Sequence, residues 1–73
     1  MYWDIQQNDF DDNPFGDLNV KNNTVIIIPI LFQAHWGAIE VRRQNDRISL
    51  KLFQIPSSIQ QKLVRILARR LDV

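Results

Sequence analysis

Residues Thr24 to Ile30 read Thr-Val-Ile-Ile-Ile-Pro-Ile, the longest β-branched run in the chain. Two heavy atoms on Cβ restrict χ1, which disfavours a helix and suits a pleated strand. The run is apolar at successive positions rather than at alternate ones, the pattern of a strand covered on both faces. Pro29 has no N–H to give to a ladder, so it is expected at the strand's end or at a sheet edge. The rest of the fold has to be arranged around this segment.

Two further strand patterns follow it. From Trp36 to Arg43, Ile39 and Val41 fall on one side and Ala38, Glu40 and Arg42 on the other. Gln44-Asn45-Asp46 reads as a hairpin turn, and Ile48 to Phe53 then alternates, with Ile48, Leu50 and Leu52 inward and Ser49 and Lys51 outward. Pro56-Ser57-Ser58 opens a helix, where Ser57 with Gln60, or Ser58 with Gln61, has the spacing of a capping box. Ile59, Leu63, Ile66, Leu67 and Leu71 recur at helical spacing, and Gln60, Lys62, Arg65, Arg69 and Arg70 take the remaining face. The arginines of the last turn complement the negative end of the helix dipole. The expectation is an α+β fold: a small antiparallel or mixed sheet of about three strands (24–30, 36–43, 48–53) covered by a C-terminal helix (57–71).

Residues 1–23 form an acidic, loop-like segment ahead of this domain, with turn chemistry at Asp11-Asp12-Asn13-Pro14 and Phe15-Gly16-Asp17. Tyr2, Trp3, Ile5, Phe10 and Phe15 are too apolar for a free tail and should pack on something, around a short helical turn at residues 3–9. The net charge of +1 hides a division: the first 20 residues carry five aspartates and no base, and the remainder carries all nine Lys and Arg. The reading is of a solvated acidic loop and a solvated basic helix face, or of two segments with different partners.

With 73 residues and no cysteine, the chain can form neither disulfides nor a thiolate metal site. A chain of this size buries only about 60% of its unfolded surface, so oligomerisation or a missing remainder of the domain is a fair expectation. One histidine and no thiol are too few for a metal centre, and Gly16 and Gly37 alone cannot build a phosphate-cradling loop, so no cofactor is expected. No apolar run approaches the ~18 residues of a membrane span, and no basic-then-apolar leader opens the chain. The expected setting is soluble and intracellular, in cytoplasm or nucleus.

His35-Trp36 lies where the β-branched strand turns toward the second one. An imidazole at the mouth of a sheet can be held in one tautomer and used for acid–base work. The stretch Ile28-Pro29-Ile30, four residues, His35-Trp36-Gly37-Ala38-Ile39-Glu40-Val41, then Ile48 to Phe53, resembles the histidine segment of the adenain-like cysteine peptidases. That superfamily includes the proteases of SUMO and other ubiquitin-like modifiers and related bacterial effector acetyltransferases. The resemblance covers roughly residues 24–67 and implies His35 as general base and Trp36 as an indole flanking the cleft. It implies an acidic or amide orienter of the histidine on the second hairpin strand. In the peptidases this falls near position 52, where the chain has Lys51 and Leu52; in the acetyltransferase-like members it falls two residues later, at Gln54. The implied oxyanion-hole glutamine and cysteine nucleophile would follow the helix.

The expected function is therefore that of a fragment or degenerate relative of a cysteine peptidase acting on ubiquitin-like modifiers, inactive alone because it lacks a nucleophile. Ser57 and Ser58 read as cap residues and Ser49 as a strand residue, not as substitutes for it. An open frame after Val73 with a Gln and an Asp-Cys-Gly-like segment would support this expectation, and a stop there would count against an enzyme. The alternative is a non-catalytic interaction module. Arg42, Arg43 and Arg47 at the hairpin, with Arg65 and Arg69 on the helix, would hold an acidic protein or, less favoured, nucleic acid.

Overall fold

The computed structural model describes residues 2–6, 10 and 19–71. A short strand, β1 (Trp3–Ile5), precedes β2 (Thr24–Phe32), β3 (His35–Gln44) and β4 (Arg47–Phe53), and the helix α1 (Ser57–Arg70) ends the chain's described part. The four strands form one sheet in the order β1-β2-β3-β4. β1 runs parallel to β2, and β2, β3 and β4 are successively antiparallel, so the sheet is mixed. The α+β class holds, with one strand more than the three expected. At residues 3–5 the added strand stands in place of the helical turn expected over 3–9, Trp3, Asp4 and Ile5 pairing with Ile30, Leu31 and Phe32, while residues 7–9 lie outside the described residues. Three residues are too few for periodicity to distinguish strand from helical turn.

Register and alternation decide which residues are inside. Ile28, Ile30 and Phe32 of β2, Ile39 and Val41 of β3, and Trp3 and Ile5 of β1 are buried. They share a core with Ile59, Leu63 and Leu67 of α1, and with Leu71. Ile48, Leu50 and Leu52 of β4 pack against it half-buried, as expected for an edge strand. In the connection from β1 to β2, Val20 is buried in the same core and Phe10 packs on it beneath the Lys62 Nζ, 5.1 Å from the ring centroid. The aspartates at 9, 11, 12 and 17, and Phe15, lie outside the described residues.

One expectation about β2 is corrected here. Among the described residues the strand is covered on one face only: Val25 and Ile27 are 46% and 56% exposed. The residues on that side alternate outward from the helix layer, and no described element lies over them. Pro29 pairs with Ala38 in the body of the strand. β1 reaches only Ile30, so among the described residues the β1 flank of β2 is a free margin from Pro29 back to Thr24. The missing N–H is tolerated where the ladder stops.

Two hairpins close with two-residue turns. Asn45 and Asp46 both take positive φ (53° and 61°), as do Gln33 and Ala34 (51° and 61°). Two successive left-handed residues make the type I′ turn whose twist matches antiparallel strands. Asn45-Asp46 is chemically suited to it, whereas Gln33-Ala34 is not, since Cβ crowds the carbonyl there. The Asn45-Asp46 end is fastened further: Asn22 Nδ2 donates to Asp46 Oδ1 (3.2 Å) and Asp46 N donates to Asn22 Oδ1 (3.0 Å). Asn23 N donates to the Arg43 carbonyl at 2.7 Å, and Thr24 Oγ1 to the Lys21 carbonyl.

The helix starts without the expected capping box. Pro56 is the N-cap, with no side-chain cap bond, which leaves Ser57 and Ser58 exposed in the first turn. Gln60 instead donates from Nε2 to the Ile55 carbonyl at 2.9 Å. α1 is 14 residues long, and no helix among the described residues is long and apolar enough to cross a membrane.

Replacing Gln33-Ala34 by Asn-Gly relieves left-handed crowding at both positions. The double variant should gain about 1 kcal/mol in urea unfolding, a rise of roughly 4–8 °C in Tm for a domain this small. Unchanged stability would mean that the turn carries no strain.

Candidate functional site

His35 is the first residue of β3, and strand alternation places it on the helix side of the sheet with Gly37 and Ile39. The register sets it opposite Phe32, at the end of the sheet where β2 turns into β3. Its ring stays exposed while Phe32 beside it is buried. The imidazole Nε2 lies 3.1 Å from the backbone carbonyl oxygen of Gln54. A carbonyl can only accept, so Nε2 carries the proton and donates it in this bond. In the neutral ring Nδ1 is then the basic atom, with its lone pair free to receive a proton.

The carbonyl reaches His35 because of two local features. Gln54 has φ 54°, a left-handed conformation that turns the backbone out of β4 immediately after Phe53. A non-glycine residue held there costs of order 1–3 kcal/mol, and the surrounding packing must enforce it. Ile55 supplies that packing: it is buried, the next residue along, and roofs Gly37. A Cβ on Gly37 would stand 2.6 Å from Ile55 Cδ1, 2.9 Å from the Phe53 carbonyl oxygen and 3.0 Å from the Gln54 carbonyl oxygen. Gly37 is needed here for space. Its bare Cα lets residues 53–55 close over β3 and brings the Gln54 carbonyl to the histidine.

Of the residues singled out in the sequence, His35 and Gln54 are brought together, through the Gln54 main chain. Trp36 is set apart, since the next residue of a strand points to the opposite face. It is 52% exposed there and meets Tyr2 edge-on, ring centroids 5.2 Å apart and planes at 64°. Trp3, the other indole, is a core residue; its Nε1 is buried and meets no acceptor among the described residues. Leu52, at the position where the peptidases would carry an acid, pairs with Ile39 and faces the core.

The basic residues are dispersed. Arg42 pairs with Glu40 on its own strand, Nη2 to Oε1 3.0 Å, with side chains 54% and 17% exposed. An exposed pair of this kind contributes on the order of 0–1 kcal/mol. Arg43 lies on the other face, donating from Nη1 to the Val20 carbonyl at 3.0 Å, with its Nε buried and without a partner among the described residues. Arg47 pairs across from Gln44, and Arg65 and Arg69 are exposed on α1. Asn23, Thr24, Val25, Arg42, Arg43 and Gln44 surround a shallow hollow of about 190 Å³ at the end of the sheet away from His35. A second hollow of about 380 Å³, lined by Leu52, Gln60, Gln61, Val64 and Arg65, lies between β4 and α1. The feature that sequence reasoning misses is the Gln54 carbonyl. The spacing His35-x-Gly37 is the available signal, since a glycine inside a strand marks close backbone approach.

Gly37→Ala should cost about 1–3 kcal/mol by overpacking and push residues 53–55 away. In ¹⁵N spectra of the imidazole, the wild type should populate the Nε2–H tautomer with a slowed Nε2 proton, and the variant should lose that protection. Equal exchange in both would show that the carbonyl does not hold the ring. Compared with models of protein families, with curated proteins and with solved structures, the chain matches none.

Proposed function

We propose that this chain provides the histidine half of an adenain-like cysteine-peptidase site acting on ubiquitin-like modifiers, as a fragment or degenerate relative that is inactive alone. The observation that carries the reading is the His35–Gln54 pair. An exposed imidazole at a sheet's mouth has one nitrogen engaged by an acceptor and the other left basic. This is the division of labour that a general base needs: one ring nitrogen oriented, the other aimed at the nucleophile's proton. The sequence holds no cysteine, so the thiol must come from elsewhere. In the completed site, Nδ1 would take the thiol proton, and the thiolate would attack the carbonyl of the modifier's terminal glycine. The imidazolium would return the proton to the departing amine as the amide C–N bond breaks, leaving a thioester for water to hydrolyse. The Gln54 carbonyl would fix the ring through its dipole, a weaker support for the imidazolium than a carboxylate.

The interaction-module reading has less behind it. Arg42 and Arg43 already have partners in Glu40 and the Val20 carbonyl, and they stand on opposite faces. Arg65 and Arg69 lie on a separate element, with no exposed aromatic between them to stack a base.

The test is an NMR titration with a ubiquitin-like modifier ending in Gly-Gly, run beside a fluorogenic amide of the same modifier. Shift changes should cluster at residues 33–37 and 53–55, and the amide should remain uncleaved. His35→Ala should remove the binding response and leave stability within about 1 kcal/mol, as for other exposed side chains. Absence of shifts at those residues would overturn the proposal, and so would a His35→Ala variant that unfolds substantially earlier, since the ring would then be a packing residue.

A further inference from the structure

The side of the sheet turned away from α1 has no described cover. Among the described residues six large hydrophobic side chains are exposed, and five of them stand on this face: Tyr2, Val25, Ile27, Trp36 and Phe53, each 41–56% accessible. Apolar area gathered on one face marks an interaction surface. The charges on the same face are of both signs, Asp4 and Glu40 against Arg42, Lys51 and Arg47, which argues against a strongly acidic or strongly basic partner. A surface that carries its own counter-charges beside its apolar residues is suited to a copy of itself.

We infer that this face joins two copies of the chain, sheet against sheet. The register makes the pairing concrete. Across the face, Ile27, Glu40 and Lys51 form one row, and Val25, Arg42 and Ser49 form the next. A two-fold axis crossing the strands between these rows sets each row on the other row of the mate. Glu40 and Arg42, already paired within each chain, then each meet the opposite charge of the second copy as well, closing a four-charge ring, while Val25 meets Ile27 and Lys51 meets Ser49. One row further out, Phe53 comes over Arg47 of the second copy, a cation–π arrangement. Stacked sheets cross at roughly 30° and lie ~10 Å apart, which this overlay tolerates. Strand spacing and rise give the overlapped part of the face, three strands by about six residues, on the order of 300 Å² in projection, which side-chain relief enlarges to the size of a weak, transient interface. Affinity between the micromolar and millimolar ranges follows. His35 faces the helix layer, so the pairing leaves its Nδ1 open, and the proposal is independent of the peptidase reading.

Sedimentation equilibrium of the whole chain, from roughly 1 μM to 1 mM, spans the range such an interface requires. The wild type should dimerise within it. Ile27→Lys should raise the dissociation constant tenfold or more with an unchanged circular dichroism spectrum and melt, and Val25→Ser serves if that variant misfolds. Glu40→Arg and Arg42→Glu should each weaken self-association by placing like charges opposite. Mixed in equal amounts, they should recover it as a heterodimer, because the paired arginines of one chain then face the paired glutamates of the other. A wild type monomeric at 1 mM, dimerisation indifferent to Ile27→Lys, or a mixture no tighter than the separate variants would each overturn the inference.

Discussion

The packing of a single helical stripe on a single sheet face holds this fold together. Ile59, Leu63 and Leu67, one turn apart along α1, lie with Leu71 against Ile28, Ile30, Ile39 and Val41. Each of these side chains stabilises the fold by burial, roughly 1.5–3 kcal/mol relative to exposure. A chain without cysteine has no disulfide to add to it, so the strand register has to be the one that turns these residues inward. The other pieces attach to that layer. β1 extends it with Trp3 and Ile5. Ile55 closes it at the end where the chain leaves β4, and in closing it fixes the carbonyl beside His35.

Most of this layer is legible from periodicity. Ile48, Leu50 and Leu52 alternate, Ile59, Leu63 and Leu67 recur by helical turns, and both patterns arise because one face of each element meets the core. What periodicity does not reach has identifiable causes. β1 is too short for a period to register, and its partner Ile30 is far along the chain. The capping box is absent because Ser57 and Ser58 offer the right side chains, but the backbone enters the helix one residue earlier, at Pro56. Sequence reasoning looks for the orienting group at His35 among the side chains at positions 52 and 54. The atom present there is a main-chain oxygen, whose direction depends on a left-handed φ that nothing in a glutamine signals.

β2 carries a different lesson. Its run of Val and Ile has the pattern of coverage on both faces, yet the described residues cover one. A side chain's apolar character records which surroundings suit it; it does not say whether the same chain supplies them. Val25, Ile27, Trp36 and Phe53 keep the pattern of an interior strand system on a surface. The excess apolar residues of β2 therefore bear on association more than on the fold, which stands on Ile28, Ile30 and Phe32. Alternation at the start of β3 separates the two faces sharply, since His35 and Trp36 are consecutive residues and point to opposite sides.

That separation limits what the histidine can do. On its own side of the sheet, His35 is oriented by a neutral acceptor, and a hydrogen bond between neutral groups contributes about 0.5–1.5 kcal/mol against about 1.5–3 for one to a charged group. In the proposed site the difference, on the order of 1–2 kcal/mol, would bear on the imidazolium of the transition state more than on the neutral ring that precedes it. At about 1.4 kcal/mol for each factor of ten, a carbonyl in place of a carboxylate would slow proton abstraction in the proposed site by roughly five- to thirtyfold while leaving the resting geometry intact. The same carbonyl makes the orientation of His35 indifferent to the side chain at position 54, and dependent instead on Gly37 and Ile55, which hold the backbone in place. The chemistry of the histidine thus rests on close packing two residues along its own strand.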